Sequence, residues 1–295
     1  MESQRAALRR NATGWSFSAL YVFFLVAFGL VPAVYAIYES LHLAMAPGQW
    51  SLNNYLTVFT DFRFLPAVLN VLTFMIIWIP VMVAGTLLLA LLLHERASRA
   101  TGALRLVYFL PGAVTGSAAV MLWWFMLSPE LSPFAPALKA MGIETNNDMF
   151  QTGNLPVIFA LVAFITGVGQ WVLIMFGSLQ AIPDEVLEAA RIDGAGPIRT
   201  ALSVKLPLVG KYVAYMVILS FAGALQIFVE PSLFYSITKA GSSWWSLNQL
   251  GYAFAFEQGN FGMSATVAVT LLVLSIVAAI ILVFRTNFFQ TEVDD

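Results

Sequence analysis

The chain has no cysteine, only two histidines, and so few charges that Asp, Glu, Lys and Arg together make up 10% of it. The missing cysteine excludes disulfides, thiolate nucleophiles and thiolate-ligated zinc or iron–sulfur centres. The two histidines, His42 and His94, flank different apolar runs with no carboxylate cluster beside them. Each therefore reads as an interfacial residue rather than a metal ligand, and no metal site is expected. Gly-x-x-x-x-Gly-Lys-Ser/Thr is also absent, so the chain cannot cradle nucleotide phosphates alone. No His/Glu metal motif or Ser/His/Asp set lies within the apolar runs, which disfavours an intramembrane enzyme. Net charge is only −2, giving no bulk attraction for nucleic acid or an acidic partner.

What is present in abundance is apolar. At 60% hydrophobic residues and a mean hydropathy of +0.82, the composition lies outside that of soluble globular domains. A membrane-spanning helix needs about 20 apolar residues. Six runs qualify: Trp15 to Tyr38, Ala67 to Leu93, Leu106 to Leu127, Leu155 to Leu179, Lys211 to Tyr235, and Met263 to Phe284. The first is too long for a secretory signal and has no clean small-residue cleavage site. The expected organisation is an all-α integral membrane protein: a basic tail over 1–14, a six-span domain over 15–285, and a tail over 286–295. Six spans place both ends on one side. The segments on that side carry Arg5, Arg9, Arg10, Arg96, Arg99, Arg105, Arg191, Arg199, Lys205, Lys211 and Arg285, eleven cations against three (Arg63, Lys139, Lys239) opposite. That bias predicts cytoplasmic termini. Within the spans, Gly112, Thr115, Gly116, Ser117, Thr166, Gly167 and Gly169 are small enough for close helix packing. Pro111 and Pro231 are positions where a helix can kink or break if a neighbour or cavity supplies hydrogen bonds.

One interior stretch is polar. Residues 181–209, with Lys211 just beyond, hold four of the fourteen basic residues and four of the sixteen acids. Pro183, Asp184 and Glu185 suit a helix start. Gly194 stands where a left-handed residue would end that helix. Pro197 can open a second helix, and Pro207 is expected to end it. The stretch thus predicts two short helices meeting at a glycine elbow.

Its wording resembles the cytoplasmic EAA loop of ABC-importer permeases. Glu188-Ala189-Ala190 is followed by three residues, Gly194, nine residues, and Val204-Lys205-Leu206-Pro207; valine in place of isoleucine is the one departure. Ile182-Pro183 and Ile192-Asp193-Gly194-Ala195 narrow the resemblance to the carbohydrate-uptake branch. Phe109-Leu110-Pro111 with Trp123, Trp124 and Phe125, then Leu138 to Gly142, Ser220-Phe221-Ala222 with Gln226 and Phe228, and Tyr252 to Gly262 are similar to other parts of that family. The resemblance runs from about residue 15 to residue 285.

That resemblance implies a type I importer permease architecture in a bacterial plasma membrane, paired with a second, non-identical permease. Two separate ATPase subunits or domains would bind ATP and Mg, leaving this chain without a cofactor. An extracytoplasmic binding protein would deliver the solute. Glu188, Ala189, Ala190, Asp193, Gly194 and Ala195 would form the contact with the ATPase. A secondary transporter or channel is the competing reading, and Glu230 is the one ionisable residue placed deep in a span. For the substrate, helical spacing puts Thr166, Gly167 and Gln170 on one face of the fourth span. In the fifth, Ser220, Gly223, Gln226 and Glu230 recur at three- and four-residue steps as one polar stripe. Thr166, Gly167, Gln170, Ser220, Gln226 and Glu230 are therefore the expected lining of a substrate cavity, with Gln170 and Gln226 as contacts to a neutral sugar.

Overall fold

The computed structural model describes residues 18–43, 46–95, 99–114 and 116–285. The two expected tails, Trp15, Arg96 and Thr115 lie outside them. In chain order the elements are α1 (Ser18–Ser40), β1 (His42–Leu43), β2 (Ala46–Trp50), α2 (Asn53–Thr60), α3 (Phe64–Glu95), α4 (Arg99–Ala113) and α5 (Gly116–Leu127). Then follow α6 (Ala135–Ala140), α7 (Asn146–Met149), α8 (Leu155–Gln180), α9 (Asp184–Ile192), α10 (Pro197–Leu208), α11 (Gly210–Leu225), α12 (Val229–Thr238), α13 (Leu247–Tyr252) and α14 (Phe261–Arg285). The helical expectation holds, with a small antiparallel hairpin, β1 paired with β2, as the exception.

Among the described residues, four helices are long and apolar enough to cross a membrane: α1, α3, the α8 segment and α14. Two bent pairs make six if each pair is one span: α4 with α5, and α10 with α11. The third run is thus not the straight span that hydropathy suggests, and a bend precedes the fifth. Between α4 and α5 the axis turns by 107°, and between α10 and α11 by 69°. The fifth run itself is interrupted, because α11 stops at Leu225 and α12 begins at Val229. Pro231 explains that second break. It has no N–H to give the carbonyl of Ile227, and its ring would collide with that carbonyl in a continuous helix.

The chain divides into two compact units, Met1–Asp61 with Gly251–Thr270, and Phe62–Leu250 with Leu271–Asp295. In the first, α1 exposes nearly all its apolar side chains, Phe28 at 75% and Leu20 at 66% among them, as a helix bathed in lipid would. Its end is fastened by Asn54, a buried amide that donates to the carbonyls of Ser40 (3.1 Å) and His42 (2.8 Å). The His42 ring stacks on Tyr38 at 3.9 Å, with Nδ1 2.7 Å from the Tyr38 carbonyl. The second unit is built on α8, which packs most extensively against α3 and then α4. Met82, Ala90 and Leu93 of α3 meet Val172, Met175, Phe176 and Leu179 of α8 in its core. Small residues set the α4–α8 crossing. A methyl on Gly112 would lie 2.7 Å from the Thr166 carbonyl oxygen, and one on Gly169 would run into the Tyr108 carbonyl.

Candidate functional site

The break between α11 and α12 opens a cavity of about 370 Å³. Gly223 and Gln226 through Glu230 form one wall, with Thr166, Ala163 and Phe159 of α8 and Phe74 and Trp78 of α3 around the rest. Phe74 and Trp78, one helical turn apart, stack with ring centroids 5.3 Å apart and planes 9° from parallel. Gly223 faces that aromatic wall, where a methyl would make an ordinary contact with the Trp78 ring at 3.9 Å. Thr166 donates its hydroxyl to the Val162 carbonyl at 2.8 Å, so it meets the cavity as an acceptor. The Trp78 indole N–H is buried with no partner among the described residues. Glu230 is the lining carboxylate, and no lysine, arginine or histidine among the described residues lines this space.

The structure therefore regroups the expected lining. Thr166, Gln226 and Glu230 come together, but across a helix break and not along one stripe. Gln170 is exposed and is not among the lining residues. Gly167 points at Met82, where a methyl would stand 3.1 Å from Cε. Ser220 is buried with an unpaired hydroxyl among the described residues, and it too is not a lining residue. Phe74, Trp78, Phe159 and the backbone around Ile227 escape a reading of polar residues alone. The Phe74–Trp78 spacing of four was the available signal, obscured by the usual abundance of aromatics at membrane interfaces.

The polar stretch folds as two helices about an elbow. Pro183 caps α9, with Asp184 and Glu185 in its first turn. Gly194, at φ +75°, ends it in a Schellman arrangement: Ala195 N–H to Ala190 carbonyl at 2.9 Å and Gly194 N–H to Arg191 carbonyl at 3.0 Å. Leu187 is the buried anchor of α9, whereas Glu188, Ala189, Asp193 and Gly194 are exposed and Ala190 and Ala195 half-buried. Pro197 opens α10 as expected, but Pro207 does not end it. A wide π-helical turn, Ala201–Lys205, immediately precedes that proline, with the Leu206 N–H bonded to the Ala201 carbonyl. The widened turn accommodates the ring and the missing donor, and the helix runs to Leu208. Apolar side chains crowd the outside of this loop: Ile192 is 86% exposed and Ile198 77%.

Lys205 points inward. Almost fully buried, it forms an ion pair with Glu95 and lies 3.1 Å from His94 Nδ1. A separate cavity of about 540 Å³ lies elsewhere in this unit, lined by Trp124, Asn146, Asn147, Gln151, Thr152 and Lys239 among others. Lys239 is the described non-glycine residue with positive φ, +59°, and closes α12 as a left-handed cap.

Residues 43–285 match the family model for the binding-protein-dependent transport system inner membrane component. The chain belongs to this family. The permease is 29% identical over 289 residues to a probable ABC transporter permease protein, YurN, of Bacillus subtilis, covering 92% of this chain and 96% of that one. It is 24% identical to the arabinooligosaccharides transport system permease protein AraP of Halalkalibacterium halodurans, with 92% and 86% covered. Against the sn-glycerol-3-phosphate transport system permease protein UgpA of Escherichia coli the identity is 27%, with 76% and 77% covered. In fold the permease is similar to a chain of a bacterial ABC transporter involved in import of the acidic polysaccharide alginate, at a TM-score of 0.80, 15% identity, and 98% and 100% coverage. Membership of this family gives the chain a transport role.

Proposed function

We propose that this permease is one half of the membrane channel of an ATP-driven importer that takes up a neutral carbohydrate delivered by an extracytoplasmic binding protein. Each bent helix pair counts as one span in this reading, giving six spans with both termini in the cytoplasm of a bacterial cell. A second, homologous permease supplies the facing half of the cavity, and two separate ATPase subunits or domains bind ATP and Mg. Alternating access moves the sugar, with lipid surrounding the outer helices.

The observation that carries the proposal is the interrupted helix at Gln226–Phe228. It places an amide, a carboxylate and a stacked aromatic pair on one cavity inside otherwise apolar helices. Broken helices are tolerated at membrane depth where they line a cavity. An amide donates and accepts at once, which suits hydroxyl pairs, and aromatic faces suit the apolar faces of sugar rings. Glu230 without a lining cation opposes an anionic solute. Sugar-transport relatives such as the arabinooligosaccharide permease support the substrate class. The exposed α9 face, with Glu188, Ala189, Ala190, Asp193, Gly194 and Ala195 near the elbow, supports docking of the ATPase there.

The test is Gln226→Leu and Glu230→Gln in the reconstituted transporter, fed from its binding protein. Uptake is expected to fall ten-fold or more in Gln226→Leu while the binding protein still stimulates ATP hydrolysis. Normal uptake in both variants would move the substrate path elsewhere.

A further inference from the structure

Lys205 has a burial that its surroundings must justify. Its side chain is 4% exposed, whereas Glu95, its ion-pair partner, is 47% exposed. A buried ammonium is costly unless charge and hydrogen bonds compensate it. Here the compensation comes from a different element: Lys205 belongs to α10, but Glu95 and His94 are the last two residues of α3. Arg191 of α9 adds a second positive charge near Glu95. A cavity of about 100 Å³ is shared by Glu95, Leu187, Arg191, Pro197, Thr200 and Lys205. Both loop helices thus surround the end of α3, and Lys205 is the group that joins them to it. It is also the last residue of the π turn, a feature found often at functional positions.

The middle of the same helix matters. α3 is 32 residues, about 48 Å at the helical rise, against a hydrocarbon core of about 30 Å. It therefore reaches well beyond the apolar layer. From Glu95 back to Trp78 is about 26 Å of helix, continuous through Pro80, which lies within one turn of the cavity end, and Trp78 with Phe74 is the aromatic wall of the cavity.

We propose that Lys205 is a positioning residue for energy coupling: it ties the α9–α10 loop to α3, so that displacement of the loop shifts the Phe74–Trp78 wall. This rests on the ATPase-docking role given to the loop above. Lys205 itself touches neither ATPase nor sugar. A purely structural lysine would give stability and nothing more, whereas a transmitting one sets how much uptake each ATP yields.

The experiment uses the complete transporter in liposomes and measures uptake per ATP hydrolysed. Lys205→Met keeps the chain length and removes the charge, leaving Glu95 half in solvent. The ATPase should still co-purify and hydrolyse ATP, but uptake per ATP should fall at least ten-fold. Glu95→Gln, on the exposed partner, should give the same loss and serves if Lys205→Met fails to accumulate. The swap of Lys205→Glu with Glu95→Lys should recover most of the coupling, though each single reversal does not. Unchanged uptake per ATP in Lys205→Met or Glu95→Gln overturns the proposal, as does lost stability with no rescue by the swap. Glu188→Lys, on the exposed face of α9, tests docking alone. If it retains the ATPase and transports normally, the loop reading fails, independently of the Lys205 result.

Discussion

Trp78 presents the sharpest question at the scale of single residues. Its indole N–H is buried without a partner among the described residues, and such an orphan costs about 1–3 kcal/mol. Trp78→Phe keeps a ring against Phe74 and deletes the orphan donor. Thermal unfolding in detergent should show a variant as stable as the parent or more so by about 1 kcal/mol, because the desolvation penalty disappears. Uptake should nevertheless fall several-fold, since the smaller ring shortens the wall that the sugar meets. A stability gain with unimpaired uptake would mean that the wall only shapes the helix. Thr166, Gln226 and Glu230 could be picked out of the sequence as polar groups in apolar runs, yet their grouping could not. Helical periodicity relates residues along one unbroken helix, and the geometry of a break before Pro231 is not encoded in side-chain polarity. Gln170 shows the converse, a suitable amide that spacing selects and packing leaves outside.

Elements carry the next set of tests. The elbow of the polar loop was legible because its signals are local: carboxylates after Pro183, glycine where a left-handed residue is needed, proline after it. The π turn before Pro207 was not, since a widened turn depends on contacts such as Lys205 with Glu95 that arise only in three dimensions. At the α4–α8 crossing, Gly169→Leu must push Tyr108 backbone aside, an overpacking of about 3 kcal/mol or more. Loss of monodisperse protein on size-exclusion chromatography is the expected outcome, with Gly177→Leu, at a site open to a side chain, as the tolerant control. Near the larger cavity, α7 is held by a capping box: Asp148 accepts from the Thr145 N–H at 2.9 Å and the Thr145 hydroxyl at 2.8 Å. The hydroxyl bond, then the amide bond, hold the Asp148 carboxyl below its ordinary value of 3.8. A depressed value stabilises the fold above the unfolded pKa and is lost only as pH falls through the lower, folded one. Amides 144–148 should therefore keep their hydrogen-exchange protection in mild acid, and Thr145→Ala should make that protection fail at a higher pH.

For the molecule as a whole, the charge bias predicts cytoplasmic termini, and cysteine labelling checks that orientation. The parent has no cysteine to remove. Asn147→Cys should react with an impermeant maleimide on intact cells, and Ala195→Cys only after the membrane is opened. Labelling of Ala195→Cys from outside would reverse the topology and move the loop away from any cytoplasmic ATPase. Composition and hydropathy were sufficient for a helical membrane chain and for where its apolar runs fall. They were insufficient for the 107° and 69° bends, because hydropathy averages over a window and registers no change of axis.

The break before α12 also bears on how the protein is made. α12 has ten residues, about 15 Å of helix, half the thickness of the hydrocarbon layer. A segment that short cannot be threaded into a bilayer as an autonomous unit. Its packing partner in the fold is α5, synthesised about a hundred residues earlier in the chain. α5 is therefore made, and clear of the ribosome, well before α12, and α12 settles only against that docking surface.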